Sequence, residues 1–274
     1  MGVLNITPDS FSDGGRYASV DEAVASAERM AAEGAAIIDV GGESTRPGAT
    51  PVPLEEEMRR VLPVIEQLAR RVDTVISVDT SQPELMRRAI DCGAGMINDV
   101  RALRAPGALE VLAASHLGVC LMHMRGEPPT MQQAPEYRDV VTEVRDFLAE
   151  RVQACRQRGI ALERLCVDPG FGFGKRLSHN LQLLRRLDAL GALGLPVLVG
   201  LSRKSISAAL GRAVPGAQAP GPAERLAASL ALAALAVQKG ARIVRAHDVA
   251  ATLAALRVVA AVCGGESEDE GEGR

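Results

Sequence analysis

Short apolar runs alternate with amphipathic stretches along almost the whole chain. The runs are MGVLNI (1–6), AIIDV (36–40), TVISVD (74–79), MINDV (96–100), VCLMHM (119–124), LCVD (165–168), PVLVG (196–200) and RIVRA (242–246). Their apolar residues are consecutive rather than alternating, which is the pattern of strands buried on both faces of a parallel sheet. The stretches between them carry helical spacing. Val20–Glu33 follows Ser19, a good N-cap, and stops at Gly34, a good C′ residue. Leu54–Arg71 places Met58, Val61, Leu62, Ile65 and Leu68 on one face. Val140, Val144, Phe147, Leu148 and Val152 form another stripe, and the Ala- and Leu-rich segment Ala223–Lys239 ends at Gly240. About eight β–α units in series predict an α/β chain folded as a single-domain TIM (β/α)8 barrel, with an open doubly wound sheet as the rival. The barrel is expected over residues 1–263. Gly211–Pro222, rich in Gly, Pro and Ala, reads as a surface loop, and the acidic tail 264–274 reads as disordered.

Composition narrows the function classes. The chain has 274 residues, enough to bury a core without disulfide or metal support. Aromatic residues make up 2% and Trp is absent, so Ala, Val, Leu and Ile must fill that core. A net charge of −3 argues against nucleic acid or an anionic membrane as the main partner. The 5 cysteines include no CxxC pair and the 4 histidines no HxxxH, so neither a zinc site nor a disulfide framework is indicated. Reduced thiols in a cytoplasm follow. Neither a charge-free run of membrane-spanning length nor a signal peptide is visible.

In a barrel, chemistry gathers where strands end and βα loops begin. Polar residues stand at those places: Asn5, Asp39, Asp79, Asn98 with Asp99, Met122 with His123, Asp168, then Ser202–Ser205, and finally Arg245, His247 and Asp248. Asp99 and Asp248 read best as helix caps. Asp39 is balanced between fixing the turn into GGEST and serving a site. Asp79, Asn98 and Asp168 together form a set of acceptors suited to a flat heterocycle with adjacent N–H donors. Arg46, Lys204, Arg245 and His247 would face them as cations, in the part of a barrel that usually holds phosphate. Taken singly, Lys204 reads as a surface lysine and His247 as a cap. GFGFGK (170–175) departs from a phosphate loop and reads as a turn-shaping segment after Asp168. His116 and His179 stand alone, and no Ser-His-Asp order is present.

MGVLNITPDSFSDGG (1–15), GGESTRPGA (41–49), SVDTS (77–81), IND (97–99), LMHMRG (121–126), DPGFGFGK (168–175), SRKS (202–205) and RAHDV (245–249) resemble, in order, the signature segments of bacterial dihydropteroate synthases, pterin-binding TIM-barrel enzymes. The resemblance extends from residue 1 to about 262. It implies condensation of 6-hydroxymethyl-7,8-dihydropterin pyrophosphate with p-aminobenzoate, giving 7,8-dihydropteroate and pyrophosphate, in folate synthesis. It implies that Asp79, Asn98, Met122, Asp168, Phe173, Lys204 and Arg245 bind the pterin. Asn5, Arg46, Arg245 and His247 would bind the pyrophosphate, with Asn5 also a Mg²⁺ ligand. Phe11, Arg46, Pro47, Lys204 and Ser205 would bind p-aminobenzoate, and Lys204, Asp13, Arg46 and Asp168 would act in catalysis. The reaction would be substitution at the pterin methylene carbon through a cation-like state, with no protein nucleophile. Sulfonamide inhibition and a homodimer built on late helices are further implications. Relative to most members, which often begin with a short hairpin under the barrel, residues before the first strand are expected to be missing here. A pterin-binding methyltransferase domain, a catalytically silent pterin-binding barrel, and an aldolase with Lys204 as Schiff-base lysine are the rival readings. The SRKS and FSDGG segments favour the synthase.

Overall fold

A computed structural model describes residues 1–6, 20–44, 50–128, 130–204, 206, 210 and 221–263. Each apolar run becomes a strand: β1 (Gly2–Asn5), β2 (Ile37–Gly41), β3 (Val75–Asp79), β4 (Met96–Asp99), β5 (Gly118–Met122), β6 (Leu165–Asp168), β7 (Val197–Gly200) and β8 (Ala241–Arg245). They pair in chain order, all parallel. The residues flanking β8 and β1 close the ring. Val3 donates its N–H to the Ala246 carbonyl at 3.1 Å, and Ala246 donates to that of Met1 at 2.9 Å. Gly2 and Ala246 form the corresponding parallel bridge. An open doubly wound sheet has two free edges and is thereby excluded; the fold is the expected TIM barrel.

The described helices are α1 (Val20–Ala32), α2 (Leu54–Leu68), α3 (Pro83–Asp91), α4 (Ala108–Ala113), α5 (Val140–Gln157), α6 (Leu177–Arg185), α7 (Pro222–Gln238) and α8 (Val249–Cys263). The predicted stripes face inward: Val61, Ile65 and Leu68 are buried, with Met58 and Leu62 packed beside them. Helix α2 stops three residues earlier than its pattern suggests: Arg70 and Arg71 turn their N–H groups onto carbonyls three residues back, those of Gln67 (3.2 Å) and Leu68 (2.9 Å). Asp139 caps α5 by accepting from the N–H groups of Val141 (3.0 Å) and Thr142 (3.2 Å). Gly34 adopts φ +99°, a left-handed geometry that suits glycine at a helix end. Ser19, the expected cap of α1, lies outside the described residues, as do 211–220 of the Gly/Pro-rich segment and the tail 264–274.

Strand alternation sorts the core into two compartments. Leu4, Ile38, Val40, Ile76, Val78, Ile97, Val119, Leu121, Val167 and Val199 face outward and meet the helices in one continuous core. Met96, Cys120, Cys166 and Leu198 face inward and, with Met1, Ile37 and Ile243, form an apolar floor inside the ring. Above that floor, toward the C-terminal ends of the strands, the interior turns polar: Asp39, Ser77, Asn98 and Asp168 are all buried. The five cysteines are free thiols. Among the described residues no helix is long and apolar enough to cross a membrane.

One buried charge-bearing group lies on the wall. Both carboxyl oxygens of Glu57 on α2 are buried without a hydrogen-bond partner. Burial raises its pKa to about 7, opposed by the nearby Thr80 hydroxyl and reinforced by Glu43. A carboxyl raised on folding favours the native state when protonated, so its contribution fades as pH climbs from the ordinary carboxylate range through about 7. Glu57→Gln is therefore expected to raise the melting temperature at pH 8.5 and to change it little at pH 5. Equal shifts at both values would show that Glu57 does not titrate across that interval.

Candidate active site at the C-terminal mouth of the barrel

A single carboxylate organises the polar interior. Asp39 on β2 is fully buried. Its Oδ1 accepts the Ser77 hydroxyl proton from β3 at 2.6 Å. Its Oδ2 accepts from Asn98 Nδ2 on β4 at 3.0 Å and from Arg245 Nε on β8 at 2.6 Å. The same guanidinium reaches across to β3, where Nη2 donates to Asp79 Oδ2 at 3.0 Å. Burial alone would lower the pKa of Arg245, but Asp39 and Asp79 outweigh it and raise it above the ordinary arginine value. Asp79 rises to about 7 because burial outweighs the opposing guanidinium.

Asn98 spends its amide N–H₂ on Asp39, which fixes the orientation of the group. Its Oδ1 is then a buried acceptor without a hydrogen-bond partner. Such an atom costs about 1–3 kcal/mol unless a donor meets it. Asp168, at the end of β6, is buried as well, and its Oδ1 accepts the Gly170 N–H at 2.7 Å. Burial raises its pKa, opposed first by Lys204.

Lys204 is no surface lysine. It follows β7, donates to the Phe171 carbonyl, and sets its Nζ 4.6 Å from the centre of the Phe173 ring. Burial lowers its pKa to about 8, with Asp168 opposing. Both cations flank Gly200: a Cβ there would lie 3.7 Å from Lys204 Nζ and 3.9 Å from Arg245 Cβ. Met122, Met124 and Met131 pack with Val100 and the half-buried Phe173 into an apolar wall.

The rim is stitched together by polar contacts. His247 places its backbone N–H and its Nδ1 on the Ser202 hydroxyl, at 3.2 and 3.1 Å. Arg203 pairs with Asp248 through Nε at 3.0 Å and a second contact from Nη2. Its backbone holds φ +56°, uncommon for a non-glycine residue, and its N–H donates to Ser229 Oγ at 3.0 Å. Asp248 is thus held by an arginine rather than engaged as a cap. Asp99 holds the irregular turn after β4 through the N–H groups of Arg101 (2.8 Å) and Leu103 (2.7 Å), well ahead of α4.

Asp79, Asn98, Met122, Asp168, Phe173, Lys204 and Arg245 thus belong to one pit, with Asn5 at its edge: a Cβ on Gly41 would lie 3.4 Å from Asp79 Cβ and 3.9 Å from Asn5 Oδ1. His247 lies on the rim beside Ser202. Phe11, Asp13, Arg46, Pro47 and Ser205 fall outside the described residues. The expectation of acceptors on one side and cations on the other needs correction. Arg245 is wedged between Asp39 and Asp79, because a buried charge is tolerated only beside its opposite, and the Lys204 ammonium is directed at the Phe171 carbonyl. Asp39 is the residue that sequence reasoning left undecided. The available signal was its place inside an apolar strand, where an unpaired carboxylate would be prohibitive. The arrangement offers acceptors to a flat, donor-rich ring and cations to an anionic group.

A family model described as a pterin binding enzyme matches residues 1–247. The dihydropteroate synthase of Escherichia coli is 54% identical over 261 residues, covering 95% of this chain and 90% of that protein. The dihydropteroate synthase of Xanthomonas albilineans, solved with 4-aminobenzoic acid, superposes with a TM-score of 0.88 at 53% identity, over 97% of this chain and 93% of the other. That of Yersinia pestis, solved with a sulfonamide drug, superposes with a TM-score of 0.89 at 48% identity, over 96% and 94%. The chain belongs to the pterin-binding enzyme family, among its dihydropteroate synthases.

Proposed function

We propose that the chain condenses 6-hydroxymethyl-7,8-dihydropterin pyrophosphate with p-aminobenzoate, giving 7,8-dihydropteroate and pyrophosphate. The observation that carries this reading is the pit itself: Asp39, Asp79, Asn98 and Asp168 from four strands meet Arg245 from β8 and Lys204 from the loop after β7. The pterin ring enters edge-on toward Asn98 Oδ1 and Asp168, which accept from its ring N–H and amino groups. Each hydrogen bond to a charged group contributes roughly 1.5–3 kcal/mol. Met122 and Phe173 line the ring, and Arg245 covers one face. The C–O bond from the methylene carbon to the pyrophosphate breaks, and the leaving group takes the electron pair. The arylamine nitrogen forms the new C–N bond and then loses a proton. Lys204, Arg245 and His247 offset the charge of the departing anion, and the carboxylates around the ring stabilise positive charge on the pterin.

We further assign p-aminobenzoate and sulfonamides to the outer part of the pit, beside Lys204, with Phe11, Asp13, Arg46, Pro47 and Ser205 contributing from outside the described residues. Mg²⁺ suits Asn5. An amide oxygen is a hard donor, and Mg²⁺ commonly takes one or two protein ligands and fills the rest of its shell from substrate phosphates and water. Among the described residues no group of three or more His, Cys, Asp or Glu is arranged to hold a metal unaided. When bound, the ion neutralises charge on the pyrophosphate. We also propose a cytoplasmic homodimer formed through α7 and α8. Those helices pack on each other yet expose Leu235 (48%), Val258 (62%) and Val262 (76%).

Pyrophosphate release, followed with and without p-aminobenzoate, tests the reading. Release that depends on the amine, and competitive inhibition by a sulfonamide, are expected; release indifferent to the amine would refute it. Lys204→Ala or Asp168→Ala is expected to reduce kcat/KM about 10²–10³-fold while leaving the circular dichroism spectrum unchanged. In the wild type, kcat/KM should fall as pH rises through about 8, where the Lys204 ammonium is lost. Lys204→Arg should remove that alkaline limb, and a limb unmoved in the arginine variant would acquit Lys204. Val258→Glu combined with Val262→Glu is expected to halve the mass seen by light scattering; an unchanged mass would place the interface elsewhere.

A further inference from the structure

Lys175 is a lysine inside the protein, 3% exposed, and the condensation chemistry has no use for it. It closes the turn that follows β6. Its Nζ lies 2.9 Å from the Gly170 carbonyl, 3.0 Å from that of Phe173, 3.4 Å from that of His123 and 2.9 Å from His123 Nδ1. His123 is itself buried, and burial, with Lys175 adding, lowers its pKa to about 2, so the ring is neutral.

Part of the turn is held locally: the Phe173 N–H donates to the Gly170 carbonyl at 3.1 Å, and the Gly172 N–H to Asn180 Oδ1 at 2.9 Å. Gly170 and Gly174 adopt φ +66° and +61° and press directly on the chain after β5. A Cβ would lie 1.9 Å from the His123 carbonyl oxygen at the first and 2.2 Å from that of Arg125 at the second. Such close approach leaves a row of carbonyls that must be satisfied internally. Tyr137 takes that of Gly174 at 2.9 Å, and Gln132 takes that of Gly172. That of Phe173 falls to Lys175, which also takes the second lone pair of the Gly170 carbonyl. The same short segment carries two groups of the pterin side. The Gly170 N–H holds Asp168, and the Phe173 ring lies under the Lys204 ammonium.

We propose that Lys175 is a positioning residue for pterin recognition: by tying the 169–174 turn to His123, it sets Asp168 and the Phe173 ring in register for the bound heterocycle. The inference rests on the pterin-binding reading and adds to it a residue that touches no substrate. It separates the two substrates, because Asp168 and Phe173, the groups carried by the restrained turn, are assigned to the pterin.

Lys175→Met keeps the length of the side chain and removes its donors. The affinity for an unreactive 6-hydroxymethylpterin, measured by calorimetry, is expected to fall about tenfold or more, while the KM for p-aminobenzoate at saturating pterin pyrophosphate stays within about twofold. Unchanged pterin affinity in the folded variant, or equal losses for both substrates, would overturn the proposal. Should the variant not fold, wild-type protein labelled with ¹³C at lysine Cε carries the test. Saturation with the same pterin should shift the Lys175 resonance, and a resonance that does not move would overturn it. Failure of the synthase reading looks different: wild-type protein would then bind the pterin without condensing it.

Discussion

The structure depends on the burial of one carboxylate where four strands meet. Asp39 accepts from Ser77, Asn98 and Arg245, so β2, β3, β4 and β8 share a single anion inside the ring. A charge so placed is costly to desolvate and tolerable only when its lone pairs are filled. The guanidinium fills one, and its planar fork then extends to Asp79. The resulting order is imposed outward: Asn98 must present its oxygen, not its nitrogen, to the pit. A weakly specified group thereby becomes an oriented acceptor without any ligand to orient it.

The second layer of order comes from backbone rather than charge. Residues 168–175 lie against 122–125 at distances that only glycine allows at positions 170 and 174. The cost of that approach is a set of carbonyls hidden from water, and Tyr137, Gln132 and Lys175 satisfy them. Asp168 and Phe173 therefore stand on a rigid turn, as pre-organised binding requires. On the opposite side, Ser202–His247 and Arg203–Asp248 tie the β7 and β8 loops together, so Lys204 and Arg245 keep a fixed relation.

Much of this was legible beforehand. Eight consecutive apolar runs announced eight buried strands, because a strand covered on both faces cannot alternate. The helical stripes of α2 and α5 named their own buried residues. Strand ends located Asp79, Asn98, Asp168, Lys204 and Arg245, since barrel topology sends all of them to one face. The pairing of charges was less legible. Nothing local distinguishes an Asp39 that caps a turn from one that anchors a network, because its partners lie 38, 59 and 206 residues away. The contact between Lys175 and His123 was hidden for the same reason: it spans 52 residues. Asp248 read as a cap because strand-to-helix junctions usually need one, and its claim by Arg203 is tertiary.

The claim that Asp39 sets the geometry of the pit is open to one direct measurement. Asp39→Asn is nearly isosteric and keeps an oxygen for Ser77, but it removes the anion that Arg245 needs. Titrated with an unreactive pterin while its fold is monitored by circular dichroism, this variant is expected to remain folded and to bind at least about tenfold more weakly than the wild type. A folded Asp39→Asn protein with wild-type pterin affinity would contradict the account at its base.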